Sequence, residues 1–273
     1  MREPVISFDQ VYKSYPMYHH IRGIKNLMFN FPHNLKALRR QQFEALNNIS
    51  FEVYRGEKFG IVGYNGAGKS TTLGLIAGVL KPSSGRVVVR GRISPLLALG
   101  TGFHPELNGR ENIVLNGVLL GLTRREVLSK LDEIIEFAEL GEFIDRPIRI
   151  YSTGMMARLG FSVVAHLDPE ILLIDEVLGV GDIRFQQKCL NKMAEFRNSG
   201  VTMVLVSHSM ASVVEICDRA LWIQDHHVKM IGESTKVAEA YAEAAAADIA
   251  ASGKRKKIRP VEAAAAKVRG PLF

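Results

Sequence analysis

An α/β fold with a parallel sheet at its centre is what the sequence predicts, on three observations. Lys58-Phe-Gly-Ile-Val62 reads as a short buried strand, and it runs into the glycine-rich stretch Gly63-Tyr64-Asn65-Gly66-Ala67-Gly68-Lys69-Ser70-Thr71. Thr71–Ala77 can then open a helix, giving a strand, loop and helix in succession. Two further runs, Ile171–Ile174 and Val201–Val206, are continuously apolar, as strands of a parallel sheet buried on both faces are. Between the loop and these runs, from about Pro105 to Leu167, the pattern turns helical.

The elements follow in order. Val5–Val11 alternates partly and is rich in strand formers, and Ile49–Val53 alternates cleanly before stopping at Arg55-Gly56. Roughly thirty residues, Pro16 to Leu46, separate them, where a turn between strands needs only a few. Inside that segment Ile21, Ile24, Leu27, Met28 and Phe31 fall at helical spacing, followed by the basic Lys36–Arg40. Gly85–Arg90 is a further strand. Thr123-Arg-Arg-Glu126 is a capping box, with Val127, Leu128, Leu131, Ile134, Ile135 and Ala138 as one apolar stripe behind it. No internal repeat is present. After residue 235 the composition changes: Ala-rich from Ala238 to Ala251, basic at Lys254–Lys257, then Ala-rich again. That tail, 236–273, reads as a helix fraying into disorder.

At 273 residues the chain can bury a substantial core, and 47% hydrophobic with 23% charged residues is a soluble globular composition. The formal charge of +7 is spread along the chain, which speaks for solubility rather than a nucleic-acid partner. Two cysteines, Cys189 and Cys217, suggest neither a disulfide framework nor a metal site. No signal-peptide layout or membrane-length apolar run is present, so the expected location is the cytoplasm, with any membrane role exercised through a partner.

Gly63–Thr71 matches G-x-x-x-x-G-K-[ST] in the strand–loop–helix context that the motif requires. Its glycines let successive N–H groups converge on phosphate oxygens at a helix start. Lys69 can reach the β- and γ-phosphates, and the Ser70 hydroxyl can ligate Mg²⁺. An ordinary glycine-rich turn would have no need of the Lys-Ser pair. About a hundred residues on, the apolar run Ile171–Ile174 ends in Asp175-Glu176. That puts Asp175 at the carboxyl edge of the sheet, where it can hold Mg²⁺, and leaves Glu176 to polarise an attacking water. Ser152 suits a helix N-cap, and Gly154 would let a phosphate approach that helix start.

Tyr151-Ser152-Thr153-Gly154-Met155, roughly twenty residues before the acidic strand, resembles the signature of the ATP-binding-cassette (ABC) family in the variant found in ATPase subunits of bacterial polysaccharide exporters. The resemblance covers residues 3–235. It implies a P-loop NTPase with a mixed sheet core, an antiparallel β subdomain and an inserted helical subdomain at 105–167. It further implies that His208 contacts the γ-phosphate, that Asp182 lies between subunits, and that Tyr15 stacks on adenine, with Tyr12 competing for that role. The implied partners are a second copy of the chain, arranged head to tail around two ATPs and Mg²⁺, and a separate integral-membrane permease. Each ATP would lie between the phosphate loop of one copy and Ser152–Met155 of the other.

The expected function is therefore ATP-driven export of a lipid-linked polysaccharide (O-antigen, capsule or teichoic-acid-like), at the cytoplasmic face of the inner membrane. A soluble ABC protein acting on ribosomes or DNA is the alternative from another class. Two departures from the family pattern stand out. No Gln occurs from Lys81 to Ile150, so the usual sensor glutamine is missing from Leu97–Asn112, and its signalling passes to backbone or to Glu106. The other is the Pro16–Leu46 insertion, whose aromatic and basic residues suit the membrane-facing rim. The forty or so residues after Glu233 are too few and too Ala-rich for a carbohydrate-binding sandwich, so no glycan binding by the subunit alone is expected.

Overall fold

The computed structural model describes residues 3–16, 42–96, 102–175 and 182–256, the side chains of 248–256 excepted. Its strands are β1 (Pro4–Pro16), β2 (Gln42–Tyr54), β3 (Lys58–Val62), β4 (Ser84–Val89), β5 (Ile93–Leu96), β6 (Ile171–Asp175), β7 (Thr202–Val206), β8 (Arg219–Gln224) and β9 (His227–Glu233). Its helices are α1 (Lys69–Ile76), α2 (Gly109–Leu119), α3 (Arg124–Ser129), α4 (Leu131–Ala138), α5 (Thr153–Ala165), α6 (Ile183–Asn198), α7 (Met210–Ile216) and α8 (Ser234–Lys256).

The strands form two sheets. β2-β1-β4 is wholly antiparallel, and β5-β6-β7-β3-β8-β9 is parallel throughout except for β9 at its edge. This is the expected α/β class, with a mixed core sheet and a separate antiparallel one. Ile171, Leu172 and Leu173 are fully buried on β6 because helices cover one face of the parallel strands and α1 with the antiparallel sheet covers the other. The two sheets meet through three aromatic rings. Phe8 stacks on Phe51 at 4.4 Å between centroids, and Phe51 on Phe59 at 5.5 Å, so β1, β2 and β3 share one core. A second core lies beneath α5, α6, α7 and α8, and a third within the helical segment around Ile113, Ile134 and Leu159.

The antiparallel strands depart from the sequence expectation in an informative way. β1 and β2 extend well past Val11 and back past Ile49, pairing Tyr15 with Phe43 and Pro16 with Gln42. Register shifts between Phe8 and Ser14 move side chains from one face to the other, so the simple alternation that marks a strand in sequence is lost there. The long insertion therefore leaves and returns on one paired ribbon. Residues 17–41, with the helical stripe and the basic run Lys36–Arg40, lie outside the described residues.

The Thr123 capping box is present: Thr123 Oγ1 accepts from the Glu126 amide at 3.3 Å, and Glu126 Oε2 accepts from the Thr123 amide at 2.7 Å. The stripe behind it, however, belongs to two helices. The chain breaks at Lys130, whose ammonium is held by the His166 carbonyl at 2.9 Å and by Asp168. Val127, Ile134 and Ala138 stay buried while Leu128 turns outward.

The composition change after residue 235 does not coincide with a change in packing. α8 begins at Ser234 and sets Val237 fully in the second core, with Ala240, Tyr241 and Ala244 packed beside it. Alanine-rich sequence hides this, because one Val and one Tyr carry the docking face.

Candidate active site

The phosphate loop is shaped by close contacts on either side of it. Gly68 has φ +112°, and a Cβ there would stand 2.5 Å from the Ala45 carbonyl oxygen. A Cβ on Gly63 would strike the carbonyl of Ile223. Glycine at these positions lets the loop sit between β2 and β8. The Gly68 carbonyl accepts from both the amide (2.9 Å) and the hydroxyl (3.0 Å) of Thr72, which fixes the start of α1.

Lys69, the first residue of α1, turns back over the loop. Its Nζ donates to the carbonyls of Gly63 at 2.8 Å and Tyr64 at 3.1 Å. Burial lowers its pKa, and the charge of Asp175 partly restores it. Asp175 shows the converse: burial raises its pKa, and Lys69 partly offsets the rise. A carboxylate and an ammonium thus face one cleft in which each is short of water.

That cleft, of about 380 Å³, is lined by Asn65, Gly66, Gly68, Lys69, Ser70, Thr71 and Asp175, together with Phe43, Ala45 and Val206. Topology explains the convergence. Asp175 ends β6 opposite Val206 of β7, and Val206 lies opposite Ile61 of β3, whose chain continues into the loop. His208 follows two residues after Val206 and is exposed. Between them Ser207 is held by its amide to the Ile61 carbonyl at 3.4 Å. A larger groove of about 1560 Å³ lies around Glu52, Tyr54 and Arg219, but it gathers no phosphate-binding backbone.

Phe43 is a cleft residue that sequence reasoning missed. It has no motif around it, and only its pairing with Tyr15 puts it there. Cross-strand partners project to the same face, so Tyr15 shares Phe43's side of the sheet. Tyr12 instead pairs with Ser84 of β4. The Lys13 ammonium lies 5.0 Å from the Tyr15 ring centroid, and His226 meets Phe43 edge-on at 5.4 Å.

Ser152, Thr153, Gly154, Met155 and Asp182 are not among the described residues that line this cleft. They lie at the starts of two helices, α5 and α6. Ser152 caps α5 by accepting from the Met155 amide at 3.2 Å, and Asp182 caps α6 by accepting from the Phe185 amide at 2.9 Å. Arg158, one turn into α5, pairs with Asp182 at 3.5 Å and with Glu139 at 3.3 Å, while Glu139 also takes Lys188 at 2.9 Å. The signature helix start and Asp182 are thus tied to the end of the helical segment. Glu176 lies outside the described residues, as do 97–101 and 177–181.

Where the sensor glutamine is missing, Asn112 organises the turn. Fully buried, it accepts from the His104 amide at 2.6 Å and donates to the carbonyls of His104, Leu107 and Asn108. Glu106 is exposed and pairs with Arg149 at 3.2 Å.

Comparison with known proteins adds four findings. A family model described as ABC transporter matches residues 46–179. The O-antigen export system ATP-binding protein RfbB of Klebsiella pneumoniae is 54% identical over 245 residues, covering 89% of this chain and 100% of the relative. The teichoic acids export ATP-binding protein TagH of Lactococcus lactis subsp. lactis (strain IL1403) is 48% identical over 201 residues, covering 74% of this chain and 43% of TagH. Among solved structures, the dimeric ATP-binding cassette MJ0796 bound to ADP and Pi superposes with a TM-score of 0.64 at 21% identity, covering 84% of this chain and 98% of that one. The structural likeness speaks for the fold.

Proposed function

The chain belongs to the ABC transporter family of ATP-binding proteins, and from that premise we propose that it is the ATP-hydrolysing subunit of an exporter of a lipid-linked, O-antigen-like polysaccharide. The observation that carries the chemistry is the cleft where Lys69, Ser70 and Asp175 meet beneath the phosphate loop. The full-length relationship to an O-antigen export protein carries the choice of cargo class. The relatives named above are exporter subunits, which leaves the soluble ribosome- or DNA-directed alternative unsupported.

In this reading the loop amides of Asn65–Ser70 take the phosphate oxygens, and Lys69 exchanges the carbonyls of Gly63 and Tyr64 for the β- and γ-phosphates. The Ser70 hydroxyl and the Asp175 carboxylate are hard oxygen donors on one cleft, suited to Mg²⁺. Burial disfavours the bare charge of Asp175, a cost that a cation beside it would offset. When bound, Mg²⁺ would neutralise charge on the transferring phosphoryl group. Glu176 is the general base, His208 reaches the γ-phosphate, and Tyr15 stacks on adenine.

Ser152–Met155 and Asp182 complete the site of a second copy, which their separation from the cleft supports. A head-to-tail homodimer closing on two ATPs would drive a separate permease. Among the described residues no helix is long and apolar enough to cross a membrane, which fits attachment to the membrane through that permease. The domain limits proposed are 3–235 for the cassette, onto whose core α8 also packs beyond 235, with 16–46 for its insertion and 105–167 for the helical subdomain.

The test has two arms. Purified protein with Mg²⁺ should hydrolyse ATP, and the Lys69→Ala variant should bind ATP at least tenfold more weakly. Cells lacking this chain should retain polysaccharide inside and lose it from the surface, with rescue by wild type and not by Lys69→Ala. Unchanged surface polysaccharide in the deletion strain would remove the export assignment, and absence of ATP turnover would remove the chemistry.

A further inference from the structure

The aromatic contact between α8 and the phosphate loop has no part in the reading above. Tyr64, the second residue of the loop, lies 5.4 Å from the ring of Tyr241 on α8, at an interplanar angle of 36°. Tyr241 also meets Trp222 edge-on, at 5.4 Å. Trp222 is paired in register with Val62, the last strand residue before the loop. Tyr241 therefore touches the loop at its crown through Tyr64 and at its root through Trp222.

What Tyr64 does in the loop makes this contact consequential. Its carbonyl accepts from the Ala67 amide at 3.1 Å and from Lys69 Nζ at 3.1 Å. A tilt of residue 64 moves one of the two carbonyl oxygens that hold the phosphate-binding ammonium. The contact is also well anchored. Val237, Ala240, Tyr241 and Ala244 recur at i, i+3, i+4 and i+7, one face of a helix. They pack in the same core as Val62, Trp222 and Val213 of α7, the helix that follows His208. Burial, with a smaller contribution from Tyr64, raises the pKa of the Tyr241 hydroxyl, as expected where two phenols crowd together. α8 also packs against α7 and β8, so one helix braces the loop and backs the segment after His208.

We infer that Tyr241 is a positioning residue for the phosphate loop, acting through Tyr64 on Lys69, and that α8 is a coupled part of the nucleotide site. The inference rests on the proposal that this cleft binds ATP. By reciprocity, whatever α8 does for nucleotide affinity, nucleotide does for the order of α8.

The experiment measures the dissociation constant of a fluorescent ATP analogue on the full chain with Mg²⁺, alongside KM and kcat. Variants are Tyr241→Ala, Tyr241→Phe, Tyr64→Ala and the double alanine. Tyr241→Ala should weaken binding about three- to tenfold and raise KM with it, and Tyr241→Phe should stay within about twofold of wild type. The double variant should bind no more weakly than Tyr64→Ala, because the contact through which Tyr241 acts on Lys69 is already lost in Tyr64→Ala. Amide exchange at residues 234–247 should slow on adding nucleotide to wild type, and should not respond in Tyr64→Ala saturated with nucleotide. Should Tyr241→Ala not fold, the exchange comparison decides, since Tyr64 lies outside the core. Additive effects in the double variant, a lowered melting temperature with unchanged KM, or exchange at 234–247 indifferent to nucleotide would each overturn the inference. A wild-type chain that binds no ATP would instead overturn the function proposed above.

Discussion

Replacing Gly68 by alanine probes the packing that holds the phosphate loop in place. The backbone there has φ +112°, a conformation that strains an L residue by about 1–3 kcal/mol. The new methyl would also stand 2.5 Å from the Ala45 carbonyl oxygen and 2.6 Å from Leu46 Cδ2, where ordinary contact lies near 3.5 Å. Ala45 and Leu46 are both buried on β2, so relief requires the strand or the loop to retreat by about 1 Å, at about 1–3 kcal/mol for overpacking. The total is about 2–6 kcal/mol. For a chain of this length, at about 2–4 °C per kcal/mol, that lowers the melting temperature by about 4–24 °C. Gly66→Ala is the control. Gly66 has φ +82° but nothing within 4 Å of the added carbon, so only the backbone strain applies. Both changes reduce unfolded-chain freedom equally, and that effect cancels in the comparison. The assay is thermal unfolding of the nucleotide-free protein. Equal losses for the two variants would refute the argument that close packing against β2 dictates the loop.

Three further outcomes are expected. Glu176→Gln should keep ATP affinity while slowing hydrolysis at least about a hundredfold and accumulating an ATP-dependent dimer on gel filtration; wild-type turnover would move the base elsewhere, to His208 first. Glu139 is held below the ordinary glutamate pKa chiefly by its hydrogen bond from Lys188. A depressed folded-state pKa stabilises above the unfolded value and is lost as pH falls through the folded one. Glu139→Gln should thus melt about 2 °C below wild type at pH 7.5, with the gap closing below about pH 4; a pH-independent gap would contradict this. Deleting Tyr18–Arg40 across a Gly-Ser bridge should leave a folded, ATP-hydrolysing subunit, because the ribbon ends at Pro16 and Gln42 are already paired. Export should fail in cells carrying the deletion, and normal export would remove the role proposed for the insertion.

The candidate site was legible in sequence wherever its chemistry depends on consecutive residues. A phosphate loop works through neighbouring amides, so Gly63–Thr71 stands out as one string. Asp175 was marked by the apolar run that precedes it, and Ser152 and Thr123 by the spacing of local caps; both caps bond their own third residue on, as such local contacts do. Tertiary structure decided what depends on distant segments. Bulges in β1 put Tyr15 opposite Phe43 of β2 and Tyr12 opposite Ser84 of β4, and no periodicity in the sequence encodes a register that shifts mid-strand. Lys130, held by the end of α5, splits a stripe that reads as one helix. Tyr241 sits in alanine-rich sequence and meets Tyr64 only because α8 folds back onto β8. Local hydrogen bonds and caps write themselves into short strings of residues, whereas contacts between segments far apart in the chain depend on how the sheets and helices pack, which no short string specifies.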